Sequence, residues 1–435
     1  MKTFVSNAVV ILVLAIGLVL WIALPWVGVL AVVVAIALWL PLSRGGRLAL
    51  AATRIGLSSL PQRWGASSVI VVGIAGVVGV LVAMLAMGEG FRATLNSTGD
   101  DTTAIVLRGG SQAETNSVIT REQVPLLGNL PGVARDPEGR ALLSPELSQV
   151  VNLVSRGDGT DVNAQFRGVG DMAWTVHDKV RITEGRAFKP GLREIVVGEG
   201  ARGQFRDMEV GATLTLGNQA WTVVGTFASG DAHDSELWTD AQTLATTYQR
   251  GAWQSISVRT EGASGFQRFK EAVAADPRLK LDVETTGDYY RKQAGGLNTL
   301  VSVLGTVIGA IMAIGAVFGA LNTMYAAVAT RAREIATMRA IGFRSLPVVV
   351  AVMLETLLLA LAGGLFGCAV AWLVFNGYSV STIGSNFSAV VFKFHVTPGL
   401  LWSGLKWALG IGLAGGLFPA LRAARLPITT ALRET

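Results

Sequence analysis

Residues 67–87 read SSVIVVGIAGVVGVLVAMLAM, 21 residues without a charge. An α-helix needs about 20 apolar residues to cross ~30 Å of hydrocarbon, so this stretch predicts a membrane span. Three further blocks follow at 300–329, 346–375 and 400–421, with Glu355 and Lys406 as their only charged residues. Upstream, residues 8–42 form an uncharged run that as one helix would measure ~52 Å at about 1.5 Å per residue. Two short helices with a turn near Pro25 fit better, because proline disfavours continuation. Trp21, Trp26 and Trp39 suit an interfacial aromatic belt. Lys2 resembles the n-region of a signal peptide, but no small-residue cleavage site follows it. The count is four core spans plus an N-terminal hairpin.

Composition agrees. Hydrophobic residues make up 51% of the 435, charged residues only 15%, and the mean hydropathy is +0.49. An ordinary soluble enzyme or a disordered chain is excluded. The single cysteine, Cys368, cannot build a disulfide framework, and His177, His233 and His395 lack metal-ligand spacing, so no metal is expected. The N-terminus and segments 43–66, 330–345 and 422–435 hold twelve Lys/Arg and two acids, whereas 91–296 holds 22 Lys/Arg and 26 Asp/Glu. Short loops rich in Lys/Arg stay in the cytoplasm, which puts both termini there and 91–296 outside. The positive excess is thus a topology signal, and no nucleic-acid partner is expected. Residues 213–216, 221–227 and 255–259 read as strands, and 121–130, 239–249 and 264–275 as helices, giving an α+β domain. Asp100, Asp101, Asp231, Asp234 and Glu236 read as solvated loop acids.

The chain carries no G-x-x-x-x-G-K-[ST], H-E-x-x-H or G-x-S-x-G, so no catalytic residue is assigned and energy must come from elsewhere. Small residues at helical spacing mark close helix packing at Gly73, Gly76, Gly305, Gly309, Gly315 and Gly319. Glu355, a carboxylate about ten residues into its block, predicts a partner on a neighbouring helix. Residues 331–344, RAREIATMRAIGFR, predict a short amphipathic helix with an Ile335, Met338, Ile341 stripe and Gly342 as its C-cap. Such a helix either lies on membrane lipid or docks a cytoplasmic partner, its apolar anchor rimmed by charge.

Several segments together resemble the MacB/FtsX family of ABC transporter permeases, the mechanotransmission group. Residues 48–95 resemble its first span and the preceding amphipathic helix, ending in Gly88-Glu89-Gly90. Arg331, Arg333, Glu334, Ile335, Met338, Arg339, Ile341 and Gly342 lie in a segment similar to its coupling helix, 331–344 here. FPALRAARLPITTALRE, residues 418–434, is similar to its C-terminal ending. In the outer segment, 185–188, 196–199, 210–211 and 223–225 resemble its periplasmic core.

The resemblance implies a helical membrane domain of four core spans, here with the extra hairpin, and a large α+β extracytoplasmic domain between spans 1 and 2. The domains are 1–47, 48–90, 91–296 and 297–435. It implies a bacterial inner-membrane permease coupled to an ABC ATPase subunit, with ATP and Mg bound there and no cofactor on this chain. A fused ATPase domain is not expected. A second permease subunit, identical or related, is implied, with a periplasmic adaptor and an outer-membrane channel as further partners. An FtsX-like coupler that regulates a periplasmic enzyme is the alternative. The substrate and the role of the hairpin stay open.

Overall fold

A computed structural model describes residues 17, 20–58, 64–341, 345–383 and 388–425. Most of the first half of the expected hairpin, Gly342, and the C-terminal motif beyond Arg425 lie outside the described residues. The chain divides into two compact units. One takes the residues up to Ala86, Val301–Asn376, and those from Val396 onward; the other takes Met87–Leu300 and Gly377–His395.

The first unit is helical. Four helices among the described residues are long and apolar enough to cross a membrane: Ser67–Ser97, Thr286–Thr330, Ser345–Phe375 and Pro398–Arg425. They match the four expected core spans in order and are called core helices 1 to 4. Core helices 1 and 2 each contribute residues to both units. Ahead of them, the chain breaks at Leu24 and Pro25, as expected, and helix Trp26–Leu42 follows. It bends by 94° into the amphipathic helix Arg44–Ser58. The break leaves last-turn carbonyls without helical donors. Lys406 of core helix 4 supplies them, donating from Nζ to the Ile22 carbonyl at 2.7 Å and the Leu24 carbonyl at 3.2 Å. Trp21 donates in return to the Lys406 carbonyl at 2.9 Å. The one cation within a core block is therefore an anchor for the N-terminal segment.

Packing in this unit rests on glycine. A Cβ built on Gly412 would lie 2.5 Å from the Ala360 Cβ, and one on Gly364 would lie 2.6 Å from the Ala408 Cβ, so core helices 3 and 4 meet nearly backbone to backbone. On core helix 3, Gly363 and Gly367 receive Val71, Ile74, Ala75 and Val78 of core helix 1. Gly305 and Gly309 sit against Met84 and Leu81 of core helix 1. At Gly73, Gly76, Gly315 and Gly319 no described residue outside the glycine's own helix backbone and chain neighbours lies within 4 Å of the built Cβ position. A stripe of small residues shows that close approach is possible, and larger neighbours such as Ile74 and Val78 turn the other side of core helix 1 inward.

The second unit is built on one mixed sheet of ten strands. Its strands are β1 (Thr103–Arg108), β2 (Leu143–Val154), β3 (Asp161–Val169), β4 (Arg181–Gly185), β5 (Glu194–Gly198), β6 (Thr213–Leu216), β7 (Gln219–Ala228), β8 (Glu236–Asp240), β9 (Ser255–Arg259) and β10 (Leu281–Thr285). The order is β10-β1-β9-β2-β3-β8-β5-β7, with β4 and β6 sharing the far edge of β7. β3–β8 and β5–β7 are parallel, the other pairs antiparallel. A hairpin, β11 (Ser379–Ile383) and β12 (Ala389–Lys393), belongs to this unit and was not legible from composition. The expected strands and helices form within a few residues of their expected ends, the helices as Gln123–Gly128, Ala241–Thr247 and Gly262–Ala275.

Side-chain alternation divides the central strands between two faces. Leu147, Phe166 and Leu237 turn to an apolar core that includes Trp221, Leu244 and Phe269. Their neighbours Glu146, Arg167 and Glu236 turn to the opposite face, and all three are buried as well. The expectation of solvated acids at Asp231 and Glu236 is thus corrected, both being at most 6% exposed.

Candidate coupling site

Core helix 2 ends at Thr330, and a separate helix, Ala332–Ala340, follows. Arg331 between them leaves helical geometry at φ −106°, ψ 11°, while its carbonyl still accepts from the Ile335 N–H at 2.9 Å. The guanidinium turns inward. Its Nη1 donates to Glu355 Oε2 of core helix 3 at 3.0 Å, and its Nε donates to Glu334 Oε2 at 3.1 Å. Arg331 and Glu355 are both buried, at 9% and 4% exposure.

A third element closes on the pair. A Cβ on Gly56 of the amphipathic helix would lie 2.9 Å from Glu355 Oε2 and 3.1 Å from Arg331 Nη1, so a side chain there would have to push the pair aside. Glu355 also borders a cavity of about 310 Å³, whose walls include Gly65, Ser67 and Ile70 of the core helix 1 segment and Thr323, Met324 and Thr330 of core helix 2. At the end of core helix 4, Arg422 lies 5.4 Å from the ring centre of Tyr325, a cation–π contact. Mechanically, the break at Arg331 is pinned to core helix 3 by a charged bond and to the amphipathic helix by close contact.

The structure brings together two residues that the sequence had placed in different roles. Glu355 pairs with Arg331, which sits at the break between two helices and belongs in the sequence to the docking segment. Ile335 and Met338 also turn into the chain, at 3% and 9% exposure. This corrects the expected stripe: a nine-residue helix tied to spans at both ends buries its apolar face against its own protein. Arg333, Glu334, Thr337, Ala340 and Ile341 face outward, and Arg339 is half-buried. Gly56 was missed, and the Arg54-Ile55-Gly56 run in a helix with apolar residues on one side is the only signal that could have marked it.

Comparison with known proteins follows this architecture. The MacB-like periplasmic core domain family matches residues 67–276, and the FtsX-like permease C-terminal family matches residues 299–428. This chain is a MacB/FtsX-family permease. The macrolide export ATP-binding/permease protein MacB of Chromobacterium violaceum is 28% identical to it over 406 residues, covering 84% of this chain and 57% of that protein. The pyoverdine export ATP-binding/permease protein PvdT of Pseudomonas entomophila is 26% identical over 391 residues, covering 83% of this chain and 56% of that protein. The permease therefore spans little more than half the length of these relatives. The crystallised periplasmic region of MacB from Actinobacillus actinomycetemcomitans aligns with a TM-score of 0.34 at 14% identity, covering 46% of this chain and 95% of that one. With the family shown, the helical unit is a membrane domain and the sheet unit an extracytoplasmic α+β domain.

Proposed function

We propose that the chain is the permease subunit of an ABC-type exporter of the bacterial inner membrane. An ABC ATPase drives it from the cytoplasm. Both termini and helix Ala332–Ala340 lie on that side, where the Lys/Arg excess of the short segments places them. ATP and Mg are bound by the ATPase, and this chain supplies no P-loop among its 435 residues.

The observation that carries this reading is the Arg331–Glu355 bond beneath an exposed charged face. Arg333, Glu334, Thr337 and Ile341 offer the ATPase a surface, while Ile335 and Met338 fix that surface to the membrane helices. Displacement of Ala332–Ala340 then loads core helix 3 through Glu355 and core helix 2 through the chain itself. Core helices 1 and 2 continue into the extracytoplasmic domain and deliver the motion there. The substrate is moved by that domain, a reading supported by the two charged residues of the core blocks, Glu355 and Lys406, both being engaged within the chain among the described residues. A second permease subunit completes the transporter, with the open Gly315 and Gly319 face available to it. An adaptor and an outer-membrane channel extend the path.

Arg333→Glu tests the docking face at an exposed side chain set apart from the Arg331–Glu355 and Arg331–Glu334 contacts. Rim charges set specificity and association rate more than affinity. Co-purified with its ATPase in nanodiscs, the variant is expected to recover at least about fivefold less ATPase, or to lose permease-stimulated ATP turnover, while inserting normally. Parent-like recovery and turnover would remove this face from the interaction.

A further inference from the structure

Arg167 of β3 is 2% exposed, yet it is surrounded by carboxylates. Register explains why. Arg167 lies opposite Ser148 of β2 and Trp238 of β8, so Glu146 and Glu236, two residues back on each strand, share its face. Its guanidinium reaches Glu146 at 2.8 Å and grips Glu236 with two bonds of 2.8 and 3.0 Å. Glu114, from the turn after β1, approaches at 3.0 Å. Two histidines extend the cluster. His177 lies 2.7 Å from Glu146, and His233 lies 3.0 Å from Asp231. The two rings stand 5.2 Å apart, both against Trp238, whose Nε1 donates to Glu236.

The beginning of core helix 2 rests on this cluster. Tyr289 accepts from the Glu114 N–H at 3.3 Å and packs on Ile105 and Leu107. Tyr290 sits beside Arg167 in the cavity wall and 6.0 Å from the His233 ring. The end of core helix 1 is held at the same place. Lys179 donates to the Ser97 and Gly99 carbonyls at 2.6 and 3.2 Å, and Gly99, at φ +85°, lets the backbone pass Thr286 at the start of core helix 2. At the mouth, Arg259 joins Asp100 and Asp178. A cavity with room for about 30 Å³, enough for one or two waters, lies among these groups.

Four buried carboxylates, Glu114, Glu146, Glu236 and Asp231, face one permanent cation. Unpaired buried charge is costly, and an apolar core would fasten the helices as well. Near neutrality inside the cluster therefore requires bound protons, and its helical lid must respond when they leave. We propose that Arg167 is a positioning residue at the centre of an ionic clasp, which holds the roots of core helices 1 and 2 on the sheet while protonated and loosens as the outside medium becomes alkaline. This deepens the transport reading, because those helices are the proposed entry point of the motion.

Glu114 and His233 agree with this direction, whereas Glu146 and Asp231, held at about 2 against burial by His177 and His233, stay ionised throughout the range. Burial pushes the Glu114 carboxyl up, helped by Glu146 and Glu236 and opposed by Arg167. Burial lowers His233, but the charge and hydrogen bond of Asp231, with Glu236, outweigh it and lift His233 to about 9. A raised histidine stabilises below its ordinary value of 6.5 and loses that contribution as pH passes about 9. Glu114 favours its neutral form, so ionising it with rising pH also opposes the fold. Both act in the same direction.

Hydrogen exchange of the intact permease in nanodiscs, corrected for intrinsic rates, reads the clasp without any ATPase; its failure is thus separate from failure of the transport reading. Protection of peptide 286–295 is expected to fall at least about tenfold from about pH 6.5 to about pH 9.5, with peptide 213–227 unchanged. Glu114→Gln removes one surplus negative charge and is expected to keep protection at the higher pH, a gain that misfolding cannot mimic. Arg167→Met, which strands the carboxylates, should lose protection at both. A flat parent profile, a Glu114→Gln profile that follows the parent, or equal loss in peptide 213–227 would overturn the proposal.

Discussion

Glu355→Leu is expected to abolish assembly of the permease. The substitution leaves the Arg331 guanidinium buried, with Glu334 as its remaining acidic partner among the described residues. Removing one partner of a buried ion pair costs about 3–5 kcal/mol, because the other charge stays desolvated and uncompensated. Glu355→Gln keeps an oxygen acceptor for Arg331 and should retain most of the folded yield. Removing both charges, as Arg331→Met with Glu355→Leu, should recover much of what the single change loses, since an apolar pair of similar volume is often neutral. The recovered protein should nonetheless transport poorly if the bond carries force. Monodisperse yield on size exclusion and ATP turnover read the two effects separately. Parent-like yield of Glu355→Leu would show that the bond fixes nothing.

Gly367→Leu should be almost as severe. A Cβ at this position would lie 2.5 Å from the Ala75 carbonyl oxygen and 3.0 Å from the Ala75 Cα, both backbone atoms that cannot rotate away. Overpacking a close-packed interface typically costs about 1–3 kcal/mol, and a backbone-to-backbone contact stands at the upper end. Core helices 1 and 3 would have to separate, and the folded fraction should fall severalfold in thermal unfolding monitored by size exclusion. Gly315→Leu and Gly319→Leu meet open space within the chain and should leave the folded fraction unchanged. Activity lost from those variants with the fold intact would assign that face to the second subunit. Equal yields for Gly367→Leu and Gly315→Leu would refute the packing account.

The membrane plan was legible because hydrocarbon imposes a length: four apolar blocks of the right size, two of them with a single charge, became four core helices. Partners were less legible. Glu355 announces that it needs one, but period and spacing cannot say that Arg331, 24 residues upstream and at a helix break, turns inward to meet it. The Ile335 and Met338 stripe showed that an apolar face exists without showing which surface covers it. The extracytoplasmic cluster was hidden for a similar reason. In β8, Glu236-Leu237-Trp238 alternates like a strand with a solvated edge, and tertiary packing, with Phe188 and Phe227 on Trp238 and Tyr290 beside the carboxylates, makes its polar face a buried one. The histidines read as unrelated because 56 positions separate His177 from His233, whereas the sheet brings their rings within 5.2 Å.

Site-specific photo-crosslinking from helix Ala332–Ala340 in intact cells tests the central claim most directly. A photoreactive residue at exposed Thr337 should capture a polypeptide that mass spectrometry identifies as an ABC ATPase by its G-x-x-x-x-G-K-[ST] sequence. The same residue at exposed Val118, in the extracytoplasmic domain, should not. An ATPase adduct at Thr337 alone is the result this account predicts. Its absence at Thr337, or its appearance at Val118, would contradict it.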